Sequence, residues 1–300
     1  MYLRHFQLKE YPFSLTPDTD FYFDYPGHRE ALNVLLLALR TGEGFIKVTG
    51  ECGLGKTLMC RGLLNMLEGQ CATAYVPDPL MSPAGLRVAL VEELGISLPP
   101  RSNGHMALRA IRRRALELAR ENQRIVLLLD EAHQLPVKTL EAVRLLTNLE
   151  TEKFKLLQVV MFGQPELDRR LRRRSMRQLL QRVSFSARLR PLTRSATQSY
   201  IAHRMRVAGC AHQSIFAADA CADIHAASGG TPRVINVLCH KALMSAFGAG
   251  RAEVTADDAR RAIVDTESAR QPRKARSASS GVLSRAVQLF TPPGRPGLVR

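Results

Sequence analysis

Hydrophobic and polar positions alternate along the first two thirds of the chain in a way that predicts strands separated by helices. Short apolar or alternating runs predict strands within 44–50, 72–77, 124–135, 154–167 and 182–192. Between them, apolar residues recur every three or four positions, which predicts helices at 56–67, 82–96, 103–122 and 136–150. Continuous apolar strands are typical of a parallel sheet covered on both faces, so we predict an α/β fold with a mainly parallel sheet.

The pattern changes after Pro191, where helical periodicity continues without an intervening strand. It predicts helices at 194–209, 217–229, 231–248 and 255–267. We therefore predict an α/β core with an N-terminal extension at 1–192 and a small all-α lid at 193–268. Residues 269–300 are polar and basic, which predicts a disordered tail; the alternative for its apolar stretch 281–290 is a short amphipathic helix at a membrane surface.

The formal net charge of +16 favours polyanionic partners, either nucleic acid or the acidic inner face of a membrane. The alternative explanation of this charge is a GC-rich genome that encodes arginine wherever lysine would serve. The six cysteines contain no CxxC pair, so no zinc site is predicted. No apolar run reaches the ~18–20 residues that span a bilayer, and the first residues lack the apolar stretch of a signal peptide. We expect a cytoplasmic protein that is attached to a membrane at most peripherally.

The stretch GECGLGKT, residues 50–57, fits the phosphate-binding pattern G-x-x-x-x-G-K-[ST] between a predicted strand and a predicted helix. Its glycines let the backbone curl so that consecutive N–H groups face one point, and the helix that follows adds its dipole there. Lys56 is expected to reach the terminal phosphates of a nucleotide, and Thr57 to bind Mg²⁺. The residues expected to contact the nucleotide are Gly50, Glu51, Cys52, Gly53, Leu54, Gly55, Lys56, Thr57 and Leu58.

A second motif, IVLLLDEAH, brings two carboxylates to the end of a predicted central strand. Ligands bind at the carboxyl ends of such strands, so Asp130 and Glu131 are expected beside the phosphate loop. Asp130 would hold Mg²⁺ through water, and Glu131 would orient and deprotonate an attacking water. A solvated acidic turn is the alternative. His133 is expected to lie at the surface and to take no part in the chemistry.

Two further residues are candidates on weaker patterns. Gln164 follows an apolar strand, where a side-chain amide can sense a γ-phosphate, but many strands end in this way. Arg233 follows Thr231 and Pro232 at the start of a helix in the lid, from which an arginine can reach a phosphate bound on the other domain. The alternative for Arg233 is a structural pair with a carboxylate.

These four motifs, in this order and followed by a helical lid, resemble those of the AAA+ ATPases. Segments 12–57, 156–171, 189–209 and 228–243 more narrowly resemble the general secretion pathway protein A (ExeA-like) group, and within it the shorter MSHA pilus biogenesis (MshM) branch. The likeness covers about residues 1–268. It implies an AAA+ P-loop NTPase fold and ATP hydrolysis during assembly of a type IV (MSHA-like) pilus or a secretion apparatus at the inner membrane.

By matching positions, the resemblance implies the roles already given for the phosphate loop and for the two carboxylates. It makes Gln164 the sensor of the γ-phosphate and Arg233 the sensor in the lid. It also implies an ATP-dependent, ring-like homo-oligomer in which a neighbouring subunit supplies an arginine, with Arg182 the first candidate and Arg177 the second. Inner-membrane pilus or secretion assembly proteins are the implied partners.

One feature of the larger relatives has no counterpart in this sequence. They continue through a membrane span into a peptidoglycan-binding domain, and neither pattern occurs within residues 1–300. Direct binding to the cell wall is therefore not expected, and attachment to a membrane is expected through a partner or through charge.

The densest basic stretch, 167–182, supports rival interpretations. If it is helical, one face carries Arg170, Arg173, Arg174 and Arg177, and such a face contacts phosphates without reading sequence. That favours a DNA-binding AAA+ helper ATPase of transposition or replication. No aromatic residues interleave the arginines, so base stacking is not indicated, and a subunit interface or an acidic lipid surface is preferred. A third alternative is a nucleotide-gated scaffold with negligible turnover.

Overall fold

A computed structural model of the chain describes residues 2–78, 80–151, 155–211 and 215–271. Most of the predicted tail, including the apolar stretch 281–290, lies outside the described residues. At the start of that tail, Ala269 is buried in the hydrophobic cluster of the lid, and the backbone N–H of Arg270 donates to the carbonyl of Ala227 at 2.8 Å. The helical lid therefore includes at least these two residues.

Five parallel strands form one sheet, as the sequence predicts. They are β1 (Phe45–Thr49), β2 (Ala72–Val76), β3 (Ile125–Leu129), β4 (Leu157–Gly163) and β5 (Val183–Arg188), in the order β2-β3-β4-β1-β5. Alternate residues of a strand face opposite sides of the sheet, and β3 is apolar throughout because both sides are covered. The carboxyl ends of all five strands lie at one edge, where the four sequence motifs are expected to meet.

Helices cover both faces of the sheet and then continue as a separate layer. The described helices are α1 (Tyr2–His5), α2 (Pro26–Arg40), α3 (Lys56–Leu67), α4 (Pro83–Glu93), α5 (Gly104–Arg120), α6 (Val137–Leu146), α7 (Pro165–Leu171), α8 (Arg177–Leu180), α9 (Arg194–Val207), α10 (Ala218–Ser228), α11 (Pro232–Gly248) and α12 (Ala256–Val264). Helices α2 and α3 pack on one face, α4 to α7 pack on the other, and α9 to α12 share a core of their own. Within the described ranges, no helix combines the length and the apolar character that crossing a membrane requires.

The N-terminal extension packs on the lid, a contact that no local pattern predicted. Its aromatic residues Tyr2, Phe6, Phe13 and Phe21 are buried in the same cluster as α9 to α12. The buried guanidinium of Arg204 in α9 donates to two backbone carbonyls of the extension and lies 4.3 Å from the ring centre of Phe21. The extension therefore joins the lid to α2, which follows it in the chain.

The basic stretch 167–182 is not one helix, so the predicted arginine face is wrong. Helix α7 ends at Leu171, and a 3₁₀ turn separates it from α8. In a continuous helix, Met176 would face away from Leu171 and from the core, whereas the break buries both side chains. Of the four arginines of that face, three stay exposed and one turns inward to donate to backbone carbonyls of the loop after β3: Arg173, Arg174, Arg177 and, inward, Arg170.

Candidate nucleotide-binding site

The loop between β1 and α3 is shaped by glycine and leaves a helix N-terminus open. Gly53 and Gly55 have φ angles of +80° and +88°, which residues with side chains rarely adopt. Because Gly55 is the cap residue of α3 and has no side chain, the first N–H groups of α3 are available to an anion. The other residues predicted to contact the nucleotide lie in or directly after this loop: Gly50 at its start, exposed Glu51 and Cys52, buried Leu54, and Leu58 in the first turn of α3.

The Lys56 ammonium is buried in this loop and pairs with no carboxylate of the described residues. Lys56 is only 4% exposed, and its Nζ donates to the carbonyls of Gly50 at 2.9 Å and Glu51 at 3.0 Å. In the described part of the chain, the lysines that form ion pairs are Lys47, Lys155 and Lys241, and none of these pairs involves Lys56. Since burying an unpaired charge is costly, an anionic ligand in this loop would be stabilising.

Thr57 and Asp130 form the polar pair that the sequence predicts for Mg²⁺. The Thr57 hydroxyl donates to Oδ2 of Asp130 at 2.7 Å, and Oδ1 of Asp130 accepts the N–H of Glu131 at 2.8 Å. Asp130 follows β3 directly and is 2% exposed. Hydroxyl and carboxylate oxygens are the ligand types that Mg²⁺ takes, and among the described residues no cluster of three His, Cys, Asp or Glu offers another metal site. The residues present therefore fit Mg²⁺ bound together with phosphate oxygens and water.

Glu131, His133 and Gln164 meet where β3 and β4 end. Glu131 has a φ of +45°, and its Oε2 lies 3.2 Å from Nδ1 of His133. The backbone N–H of Gln164, which precedes α7, donates to the same Nδ1 at 3.5 Å. The structure thus brings together the two predicted residues Glu131 and Gln164. The His133 side chain is 14% exposed and lies between them, so the expectation of a surface histidine is wrong.

The lid reaches the phosphate loop through the start of α11. The backbone N–H of Arg233 donates to the carbonyl of Gly53 at 3.2 Å, and its side chain is exposed. The turn before α11 is held by Gly230, whose carbonyl accepts the N–H of Leu192 at 2.8 Å. A Cβ on Gly230 would lie 2.1 Å from the carbonyl oxygen of Leu192, so only glycine fits there. The predicted lid residue Arg233 therefore lies at the loop.

Of the two arginines predicted to serve a neighbouring subunit, Arg182 lies away from this loop and Arg177 is exposed. Arg182 precedes β5, so it lies at the amino-terminal edge of the sheet, whereas the phosphate loop follows the carboxyl end of β1. Its Nη1 donates to the hydroxyl of Thr147 at 3.1 Å. Arg177 is exposed at the start of α8. The position of Arg182 is therefore not compatible with action on the loop of its own chain.

Two buried polar groups that support the loop were missed by the sequence analysis. His28 of α2 is buried behind the loop, and a Cβ on Gly55 would lie 3.5 Å from its Cε1. Burial lowers the pKa of His28, although a hydrogen bond with the backbone of Leu54 opposes this shift, so the ring is neutral at pH 7. His28 shares the buried stripe of Ala31, Leu32 and Leu35, and this spacing was the signal that could have identified it.

The second group joins β1 to α7 beneath the loop. Lys47 forms an ion pair with Asp168, and the Thr49 hydroxyl donates to Oδ2 of the same carboxylate at 3.2 Å. Thr49 is the last residue of β1, and Asp168 lies in α7, one turn after Gln164. This cluster fixes the helix that begins at Gln164 against the strand that leads into the loop. The sequence signal for this cluster was Lys47, a charged residue within the apolar run of β1.

Comparison with known proteins identifies the domain and a relative. Residues 39–171 match the AAA domain family. General secretion pathway protein A of Aeromonas hydrophila is 39% identical over 258 residues, which cover 86% of this chain and 47% of that protein. The chain thus spans about half the length of this curated relative.

Solved structures share the fold at low sequence identity. Cdc6p from Pyrobaculum aerophilum matches with a TM-score of 0.65 at 19% identity, over 82% of this chain and 70% of that chain. The ORC2 protein of Aeropyrum pernix, solved as ADPNP–ADP complexes, matches with a TM-score of 0.63 at 16% identity, over 84% of this chain and 72% of that chain. The AAA+ P-loop NTPase fold predicted from the sequence is confirmed.

Proposed function

This chain carries an AAA domain in the AAA+ P-loop NTPase fold and is a sequence relative of general secretion pathway protein A, and on that premise we propose that it binds and hydrolyses ATP. The observation that carries the proposal is the Lys56 ammonium, which is buried in a glycine loop at an open helix N-terminus and has no carboxylate partner among the described residues. Such a site suits the β- and γ-phosphates of a nucleoside triphosphate.

The residues at the loop divide the work of binding and hydrolysis. On binding, Lys56 exchanges the carbonyls of Gly50 and Glu51 for phosphate oxygens, and the N–H groups of α3 face the same phosphates. Thr57 and Asp130 would hold Mg²⁺, which supplies neutralisation of the phosphate charge when it is bound.

The carboxylate after Asp130 serves the attacking water. Glu131 accepts a proton from this water, and the Gln164 amide orients it from the end of β4. Both residues follow neighbouring strands at the carboxyl edge of the sheet, Glu131 after β3 and Gln164 after β4. This adjacency supports a shared water rather than two independent contacts.

Hydrolysis is proposed to change how the lid and the neighbouring copies are held. The backbone of Arg233 contacts Gly53, so its exposed side chain begins beside the loop, from where its guanidinium would reach a bound phosphate. A neighbouring copy supplies the second arginine, in a nucleotide-dependent, ring-like oligomer. Arg182 is the first candidate and must release Thr147 to act, whereas Arg177 is already exposed.

The cellular setting is proposed from the relative. Because general secretion pathway protein A is 39% identical over most of this chain, we place the chain in the assembly of a secretion apparatus or of a type IV (MSHA-like) pilus, as in the MshM branch. It would act in the cytoplasm at the inner membrane, with assembly proteins of that membrane as partners. The net charge of +16 supports an additional attraction to acidic lipid.

A DNA-stimulated helper ATPase is the second candidate, and the exposed Arg173, Arg174 and Arg177 favour it. Phosphate release is measured with ATP and Mg²⁺ alone, with duplex DNA and with anionic vesicles. ATP-dependent turnover that DNA leaves unchanged supports the assembly proposal. Strong stimulation by DNA that disappears at raised salt supports the helper ATPase. The absence of ATP binding at millimolar concentration would rule out both.

A further inference from the structure

His133 occupies the space between the proposed catalytic carboxylate and the strand that ends at the γ-phosphate sensor. Its Nδ1 lies 3.2 Å from Oε2 of Glu131 and 3.5 Å from the backbone nitrogen of Gln164. Oε2 of Glu131 is shielded from solvent and forms no hydrogen bond with any described residue, although His133 lies within 3.2 Å of it. No function has been assigned to this histidine by the sequence motifs.

The backbone around His133 is fixed more firmly than the carboxylate beside it. The guanidinium of Arg170 in α7 donates to the carbonyls of His133 and Leu135, and Leu135 is fully buried. A Cβ on Gly163 would lie 3.3 Å from the backbone nitrogen of His133, so the loop lies directly against the end of β4. The Glu131 side chain, in contrast, is 33% exposed. The ring is therefore a fixed point against which Glu131 can be held.

One nitrogen cannot serve both neighbours at once. In this structure Nδ1 accepts the N–H of Gln164, whereas the 3.2 Å contact with Oε2 of Glu131 lacks hydrogen-bond geometry. With a proton on Nδ1, the ring could donate to the Glu131 carboxylate only after that side chain rotates, and it could no longer accept from Gln164. A neutral imidazole carries its proton on either nitrogen, so a change of tautomer together with this rotation exchanges the partner. Glu131 and the start of α7 thus compete for the same atom.

We propose that His133 is a positioning residue that couples Glu131 to Gln164, an inference that rests on the proposed ATPase function. When Nδ1–H donates to Glu131, this hydrogen bond restrains the rotation of the carboxylate. When Nδ1 instead takes the N–H of Gln164, Glu131 is released to the attacking water while the sensor strand is held. The position of the base is then tied to the position of the residue that senses the γ-phosphate.

Replacement of the ring by side chains of graded reach tests this role. His133→Ala removes the atom, His133→Asn places a polar atom near Nδ1, and His133→Gln places one near Nε2. We expect His133→Ala to lower kcat by about 10²-fold, since a displaced catalytic group costs this much, with the Kd of a fluorescent ATP analogue unchanged. His133→Asn should recover most of the turnover, and His133→Gln should not. The exposed His105 offers a matched control, and His105→Ala should match the wild type.

A second measurement needs no turnover. Hydrogen exchange of the Gln164 amide in the nucleotide-free protein should be faster in His133→Ala than in the wild type, and His133→Asn should restore protection. If His133→Ala is too unstable to assay, the turnover of His133→Asn is compared with that of His133→Gln. Higher turnover in His133→Asn supports the inference, and equal turnover of these two variants would overturn it. Wild-type turnover in His133→Ala would also overturn it while leaving the ATPase proposal intact. A wild-type protein that binds no ATP would overturn both.

Discussion

The backbone N–H of Arg233, the second residue of α11, donates to the carbonyl of Gly53 in the phosphate loop at 3.2 Å. The loop and the lid therefore share a direct hydrogen bond, and a Cβ added to Gly53 would lie 2.7 Å from the Cβ of Arg233. Any change at the loop that lifts α11 breaks this bond. The contact gives a physical route from a bound phosphate to the position of the lid.

Gly53→Ala should unseat the lid from the loop. The substitution places a side chain at a φ of +80° and against Arg233, so we expect a loss of about 1–3 kcal/mol in the free energy of unfolding. Stabilisation by a non-hydrolysable ATP analogue should fall as well, which thermal unfolding with and without the analogue measures. The matched control is Gly62→Ala, because a Cβ on Gly62 meets no atom within 4 Å. Because Gly62 lies in helix α3, Gly62→Ala should raise the free energy of unfolding by about 0.5–1 kcal/mol. An unchanged response of Gly53→Ala to the analogue would contradict the coupling.

Lys56→Met should separate stability from nucleotide binding. The Lys56 ammonium is buried and pairs with no carboxylate in the described part of the chain, so its removal should leave the unfolding temperature of the nucleotide-free protein unchanged or higher. The wild type should gain about 2.7 kcal/mol from ATP at 100 times Kd, and the variant should gain almost nothing. Thermal unfolding across an ATP titration checks both statements. Equal ATP stabilisation in the two proteins would remove Lys56 from the phosphate site.

Glu131→Gln should bind ATP and stop before hydrolysis. The amide keeps the size of the side chain but cannot take a proton from water, so kcat should fall by about 10²–10⁴-fold. ATP then persists in the site, and the variant should accumulate as larger assemblies in size-exclusion chromatography with ATP and Mg²⁺. Asp130 is unchanged in this variant, so ATP affinity should match that of the wild type and serves as the internal control. Normal turnover in Glu131→Gln would assign the base elsewhere.

Acidification should destabilise the folded chain because one buried and three partly buried histidines bind protons less readily than they do in the unfolded chain. Burial lowers the pKa of His28, His203, His225 and His240 from 6.5. The unfolded chain therefore binds more protons, so this contribution is complete above about pH 6.5 and is lost as the pH falls below it. Urea unfolding at pH 7.5 and 5.5 measures the loss in the free energy of unfolding. This loss should be smaller in His28→Gln than in the wild type. Equal stability at both pH values would contradict the lowered pKa values of these histidines.

The sheet and the residues at its edge could be predicted because their signals are local. Apolar or alternating runs predicted the five strands, and the carboxyl ends of parallel strands lie together by geometry. For this reason Lys56, Asp130, Glu131 and Gln164 were expected at one edge, and the structure has them after the strands that end there. Two distant turns could be related in this way without knowledge of any tertiary contact.

The misplaced features depend on contacts between distant parts of the chain. His133 follows a polar motif, which suggests a surface, but Arg170 holds its loop against α7. The spacing of the N-terminal aromatic residues Tyr2 and Phe13 does not predict that they pack on the lid. Their contact requires the core that α9 to α12 form together. The spacing of the arginines from Arg170 to Arg177 describes one face of a continuous helix, but it takes no account of Met176, which is buried only because the helix ends before it.

An arginine supplied by a neighbouring copy should be revealed by complementation between two inactive proteins. Arg182 lies at the amino-terminal edge of the sheet, away from its own loop, and Thr147 also donates to the carbonyl of Arg144, so Arg182→Ala leaves no orphaned hydroxyl. We expect Arg182→Ala to bind ATP normally and to lose about 10³-fold in kcat or more. Lys56→Ala, which retains the arginine, should restore turnover when the two proteins are mixed, because each supplies the part that the other lacks. The same mixing with Arg177→Ala tests the second candidate, and the exposed Arg174 provides the matched control. Turnover that is independent of protein concentration, or a mixture as inactive as its components, would place hydrolysis within a single chain.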